Sequence, residues 1–128
     1  MIKKVLIVDD SHSWNDYHKN NLKELYGETL EIVQAYSARE GYDKVYANIY
    51  TPFDLIISDL SMESDFLPDF AGEWFIKQVN MLKEYYKTQK VIISGSMSIR
   101  QIAEDLGTDY IPKYVAANDR LVYKKLNF

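Results

Sequence analysis

Cysteine is absent from the 128 residues. Its absence excludes disulfides, thiolate nucleophiles and cysteine-based zinc sites, and fits a reducing compartment. Long apolar runs are missing too: no stretch approaches the ~18 apolar residues of a membrane span. The opening "MIKKVLIVDD" breaks into acid too early for a signal peptide. Nor is there a basic excess, since 15 Lys and Arg face 19 Asp and Glu for a net charge of −4. A direct nucleic-acid surface would need the opposite sign. The expectation is a cytoplasmic chain with no membrane and no direct nucleic-acid partner. The three prolines and five glycines do not cluster into a linker, and neither repeats nor low-complexity tracts occur. One domain over residues 1–128 follows, because a chain of this length, 47% hydrophobic, suffices for a single core.

Five short apolar runs recur along the chain: "KVLIV" (4–8), "EIVQA" (31–35), "DLIIS" (54–58), "KVIIS" (90–94) and "DYIP" (109–112). Three are nearly continuous Val, Ile and Leu, as strands buried on both faces of a parallel sheet require. Between them, apolar residues recur three or four apart. Trp14, Tyr17, Asn21/Leu22 and Leu25 form one stripe ending at Gly27. Ser37 and Glu40 form a capping box that opens a second stripe of Gly41, Tyr42, Val45 and Ile49. Phe75, Val79, Leu82 and Tyr86 mark a third helix. Ile99, Ile102 and Leu106 mark a fourth, closed by Gly107. A last, weak helical segment covers roughly Asn118 to Leu126. Such alternation predicts an α/β fold, a doubly wound (βα)5 parallel sheet of flavodoxin-like order 2-1-3-4-5. In that order ligands bind beyond the carboxyl ends of strands 1 and 3.

The residues just past the strands are therefore informative. Strand 1 ends on Asp9 and Asp10, strand 3 on Asp59, strand 4 on Ser94, and strand 5 on Lys113. Each alone has an ordinary reading, aspartate as a helix cap and lysine as a solvated side chain. Together they would crowd three carboxylates onto one rim. A pair ~4 Å apart costs about 4 kcal/mol at an effective dielectric near 20. Lys113 offers one compensating charge, and a hard oxygen-liganded cation such as Mg²⁺ would supply more. Carboxylate, ammonium, hydroxyl and metal together suit phosphoryl transfer onto an aspartate.

These pieces resemble the receiver domain of a two-component response regulator, of the stand-alone chemotaxis type. The resemblance is carried by "VLIVDDS", "LIISDLSM", "VIISGS" and "GTDYIPK" in order along almost the whole chain. It implies that Asp59 accepts the phosphoryl group, with Ser94 and Lys113 assisting. It implies Mg²⁺ held by Asp10, Asp59 and the Ser61 backbone carbonyl, with Asp9 acting through water. Tyr110 matches the aromatic that family members swing inward on activation. The partners implied are a sensor histidine kinase or phosphotransfer protein and a downstream protein, the chain being a monomer or a phosphorylation-dependent dimer. It would be no enzyme beyond its own phosphoryl transfer and autodephosphorylation. A stand-alone receiver of this kind is expected to have no output domain after Phe128 and to signal through protein contacts.

Three departures from the family stand out. The stretch after Asp59, "LSMESDFLPDFAG", exceeds the roughly 2–6 residues of most βα loops and has Glu63 where the family has proline. This acidic loop would gate the site or meet a partner. Lys113 precedes Tyr114, where the family usually has a cis proline; a cis bond there would cost ~3–4 kcal/mol. The final helix is short. The alternative function is a phosphorylation-independent interaction module that retains the fold. An aspartyl-phosphate phosphohydrolase ranks lower, because the acids are adjacent and no cap domain is present. So does a flavodoxin, because "DDSHSW" lacks a phosphate-cradling loop. His12 and His18 lack i, i+4 metal spacing and are expected to be solvated or locally hydrogen-bonded.

Overall fold

Continuous apolar sequence becomes fully buried backbone in the centre of the sheet. The last four residues of β1 (Lys3–Val8), all of β3 (Leu55–Ser58) and the last four residues of β4 (Gln89–Ser94) are buried. The computed structural model describes residues 2–62 and 70–128. The edge strands β2 (Leu30–Ala35) and β5 (Asp109–Pro112) stay partly exposed, as strands with one neighbour do. All pairings are parallel and the order is β2-β1-β3-β4-β5, the flavodoxin-like order that the alternation predicts.

Because side chains alternate along a strand, the sheet sorts its residues onto two faces. Leu6, Val8, Ile56 and Ile92 face α2 (Ala38–Ala47), α3 (Ala71–Asn80) and α4 (Ile99–Leu106). Val5, Ile7, Leu55, Ile57, Val91 and Ile93 face α1 (His12–Tyr26), α5 (Lys113–Asn118) and the 3-10 segment Arg120–Lys125. Each such fully buried side chain contributes roughly 1.5–3 kcal/mol.

Local signals set most helix ends. Ser11 caps α1 by accepting from the Trp14 N–H at 3.2 Å, and Ser37 caps α2 by accepting from the Glu40 N–H at 3.0 Å. The returning Glu40 carboxylate accepts from the N–H of Tyr36, one residue before the cap. Gly107 closes α4 in the left-handed conformation at φ 69°.

Four local expectations need correction. The inward face of α1 is only partly the expected stripe: Asn21 and Leu22 are buried with Asn15 and His18, while Trp14, Tyr17 and Leu25 are only partly buried against the same core. α2 ends at Ala47, before Ile49, where Asn48 folds back onto Lys44 O. The third helix does not run to Tyr86. It stops at Asn80, and a 3-10 turn over Lys83–Tyr85 buries Tyr85 and leaves Tyr86 exposed. Tyr85 wins because its hydroxyl finds a buried acceptor, Val45 O, at 2.8 Å. The chain's end divides into α5, which starts directly at Lys113, and the 3-10 segment that buries Val122 and Tyr123.

Candidate functional site

The central strands deliver their carboxylates to one rim through the sheet's own hydrogen bonds. The Asp9 N–H donates to Ala35 O at 3.1 Å, and the Asp59 N–H donates to Val8 O at 2.9 Å. Each strand tip is thereby fixed against its neighbour. Asp9, Asp10 and Asp59 then offer oxygens that lie within 4.8 Å of one another. Asp9 and Asp59 are buried and Asp10 is half-buried. α3 leans on this corner so closely that a Cβ on Gly72 would lie 2.1 Å from Asp59 O. Only glycine fits there, and its N–H donates to Leu60 O at 2.8 Å.

Lys113 closes the cluster. Its ammonium lies 2.9 Å from Asp59 Oδ2 and 3.2 Å from Asp9 Oδ2. It gets there without a cis peptide, since the bond to Tyr114 is trans. Lys113 is the first residue of α5, and its ammonium sits 5.0 Å from the centre of the Trp14 ring. A cation over an indole face is attracted by the ring quadrupole, so Trp14 steers the lysine from the α1 side.

The two buried carboxylates respond in opposite directions. Burial raises the pKa of Asp59, the Lys113 charge opposes this, and the nearby Asp9 charge adds to it, leaving Asp59 above the usual value. Burial also presses Asp9 upward. The neighbouring His18 imidazole, the Lys113 charge and the Ser11 N–H at 2.9 Å outweigh that and leave it lowered. Lys113 is raised: burial disfavours its charge, but Asp59 and Asp9 more than compensate. Asp9 Oδ2 is nevertheless buried without a hydrogen bond of good geometry. An all-oxygen cluster with an under-satisfied buried oxygen fits a hard divalent cation.

Ser94, buried at the tip of β4, has its Oγ accepting from the Ser96 N–H at 3.1 Å. It pairs in register with Pro112, immediately before Lys113. Tyr110 pairs with Ile92 and stands 37% exposed, turned to the outside. Ser61 is exposed two residues past Asp59. The extended acidic stretch with Glu63 occupies 63–69 and lies outside the described residues.

Sequence reading missed a buried polar seam beside the cluster. His18 is 1% exposed, not solvated, and its Nδ1 lies 2.6 Å from the hydroxyl of Tyr123, 105 positions away. Asn15 donates to Asp9 O and Ala35 O at 3.1 and 2.9 Å, tying the tips of β1 and β2 together. The signal was present as polar residues three apart, Asn15, His18 and Asn21, on a helix whose apolar stripe drew the eye. His12, by contrast, is exposed and stacks on Tyr36 at 4.1 Å.

Comparison with solved structures returns the same architecture. The chain is 27% identical to the chemotaxis protein CheY4 of Vibrio cholerae, with a TM-score of 0.74 over 98% of this chain and 97% of that one. It is 28% identical to a CheY-like response regulator receiver domain of Methanospirillum hungatei, with a TM-score of 0.69 over 98% and 92%. No protein-family model and no curated protein matches the sequence. The fold is that of CheY-like response regulator receiver domains over nearly the whole chain, as the order of motifs implied. Among the described residues no helix is long and apolar enough to cross a membrane.

Proposed function

We propose that this chain is a phosphorylatable receiver that takes a phosphoryl group onto Asp59 and signals through protein contacts. The single observation that carries this reading is Lys113 bridging Asp59 and Asp9 at 2.9 and 3.2 Å inside a cluster of three carboxylates. An ammonium held there has a phosphoryl oxygen to receive once the carboxylate becomes an acyl phosphate. Asp59 attacks phosphorus with a carboxylate oxygen. The P–N bond to the donor imidazole breaks, and the leaving nitrogen keeps the electron pair and takes a proton. Lys113 and the Ser94 hydroxyl then bind the transferred oxygens, and Tyr110 turns inward behind Ser94. Asp10, Asp59 and the Ser61 carbonyl, with Asp9 through water, would hold Mg²⁺, which when bound would supply charge neutralisation at the phosphoryl oxygens. On this reading the donor is a histidine kinase or phosphotransfer protein met in the cytoplasm, and the output is a downstream protein.

Acetyl phosphate with Mg²⁺ tests the reading. The wild type gains the mass of one phosphoryl group, and Asp59→Asn gains none. A gain that persists in Asp59→Asn rejects Asp59 as the acceptor. Absence of any gain, together with no beryllofluoride binding at millimolar Mg²⁺, leaves the phosphorylation-independent interaction module as the better account.

A further inference from the structure

The site described above leaves two buried side chains unused, His18 and Tyr123, and they are joined to each other and to Asp9. His18 lies on the inward face of α1 with Nε2 3.8 Å from Asp9 Oδ2, the oxygen without a good hydrogen bond. Its other nitrogen meets the Tyr123 hydroxyl at 2.6 Å, and both rings are essentially fully buried. The contacts agree on one arrangement of protons. An ionised carboxylate favours a proton on the nitrogen that faces it, so Nε2 carries the hydrogen. Nδ1 then has a lone pair, and the Tyr123 hydroxyl donates to it.

Other observations agree. Burial lowers the pKa of His18, which keeps the ring neutral, with a single proton to place. Burial raises that of Tyr123, which keeps the phenol protonated and able to donate. Tyr123 itself is held by its backbone, where its carbonyl accepts from Tyr26 Oη at 2.8 Å. The 3-10 segment that carries it is fastened to α1 through Arg120, whose Nε donates to Asn21 Oδ1 at 2.9 Å and which pairs with Glu24. A polar path, with one 3.8 Å gap between His18 and Asp9, therefore runs from the C-terminal 3-10 segment to the acid cluster.

We propose that His18, protonated on Nε2, is a positioning residue for Asp9, and that Tyr123 fixes its tautomer from the C-terminal 3-10 segment. The carboxylate's orientation, and with it the cation affinity of the cluster, then depends on how that segment is seated. This inference rests on the reading of the cluster as a Mg²⁺ site. Outer partners of metal-binding carboxylates typically control 10–100-fold in metal affinity, and a contact through a 3.8 Å gap belongs near about tenfold.

The test uses the full chain and two readouts. Long-range ¹H–¹⁵N correlation of the histidine ring nitrogens reads the tautomer without any metal. His18 Nδ1 is expected to appear unprotonated and Nε2 protonated in the wild type, with the two forms mixing in Tyr123→Phe. Calorimetric Mg²⁺ titration then compares wild type, His18→Leu and His18→Gln. His18→Leu is expected to bind about tenfold more weakly. His18→Gln, which can return an N–H to the Nε2 position, recovers most of that loss, which a merely structural role does not explain. An Nδ1–H tautomer in the wild type overturns the proposal. So does a His18→Leu affinity within twofold of wild type, or Leu and Gln variants weakened equally. A wild type that binds no Mg²⁺ overturns the phosphorylation reading and this role with it, a pattern distinct from failure of His18 alone.

Discussion

On one face of the sheet, the buried residues of α2, α3 and α4 are Ala38, Gly41, Val45, Ala71, Gly72, Phe75, Ile76, Val79, Ile99 and Ala103. On the other, three of the four buried residues of α1 are Asn15, His18 and Asn21. Both faces fill space, but they hold it differently. Apolar contacts are non-directional and tolerate small shifts, whereas a buried amide or imidazole is stable only in the orientation that satisfies it. The polar face lies where the strand tips need orienting: Asn15 spans the ends of β1 and β2, and His18 faces Asp9. Burial supplies stability on the α2–α4 side, and hydrogen-bond geometry supplies the site on the α1 side.

The largest effect expected from this contrast is on the apolar face. Phe75 is fully buried between α3 and the sheet, so Phe75→Ala is expected to cost about 3–5 kcal/mol in urea unfolding. Among the described residues, the core cluster around Phe75 has only Tyr42 and Tyr85 as titratable members and no carboxylate or imidazole, so the loss should be equal at about pH 5 and about pH 8. A loss that differs by more than about 1 kcal/mol between the two would show that the apolar face is coupled to the carboxylates, and the contrast would break.

A smaller effect of opposite sign is expected at the polar rim. The folded pKa of Asp59 is raised above 3.8, so the folded chain binds that proton more tightly than the unfolded one. Its contribution to stability therefore falls as pH climbs from 3.8 through the raised value, and at neutral pH the ionised group opposes folding. Asp59→Asn is expected to stabilise the chain by on the order of 1 kcal/mol at neutral pH, a gain that shrinks toward the acid end. Asp9 runs the other way. Its lowered pKa contributes stability above 3.8 that is lost as pH falls through the folded value. Thermal unfolding across this range checks both signs, and destabilisation by Asp59→Asn at neutral pH would place the carboxylate cost elsewhere.

Legibility in the sequence followed the same division. The sheet could be read because continuous runs such as "LIIS" have few alternatives, and because the crossover rule leaves one natural order. The meeting of Asp9, Asp10, Asp59 and Lys113 followed from topology alone, since each sits one or two residues past a strand. Helix α1 was misread because periodicity assigns the inward face to apolar residues, and here tertiary hydrogen bonds to Tyr123 and Arg120 repay the burial of polar ones. Those partners lie about a hundred positions away, and no local pattern announces them. Tyr85 and Tyr86 were confused for a related reason: only the fold shows which hydroxyl has a carbonyl to meet.

The smallest effect expected tests the seam's outer edge, where Trp14 meets Lys113. The lysine is held by two carboxylates and by the indole face at 5.0 Å, with no proline after it to stiffen its backbone. A cation–π contact at a partly exposed site contributes about 0.5–1 kcal/mol. If it holds the ammonium where the phosphoryl oxygens arrive, Trp14→Leu should slow labelling by acetyl phosphate about two- to fivefold, the rate equivalent of that energy. Trp14→Phe keeps an aromatic face and should stay within about twofold of wild type. The leucine variant preserves apolar packing against Tyr17, so a general loosening of α1 would slow neither variant selectively. Equal rates for Leu, Phe and wild type would mean that the carboxylates alone position Lys113, and that the aromatic flank of α1 serves packing like the face opposite.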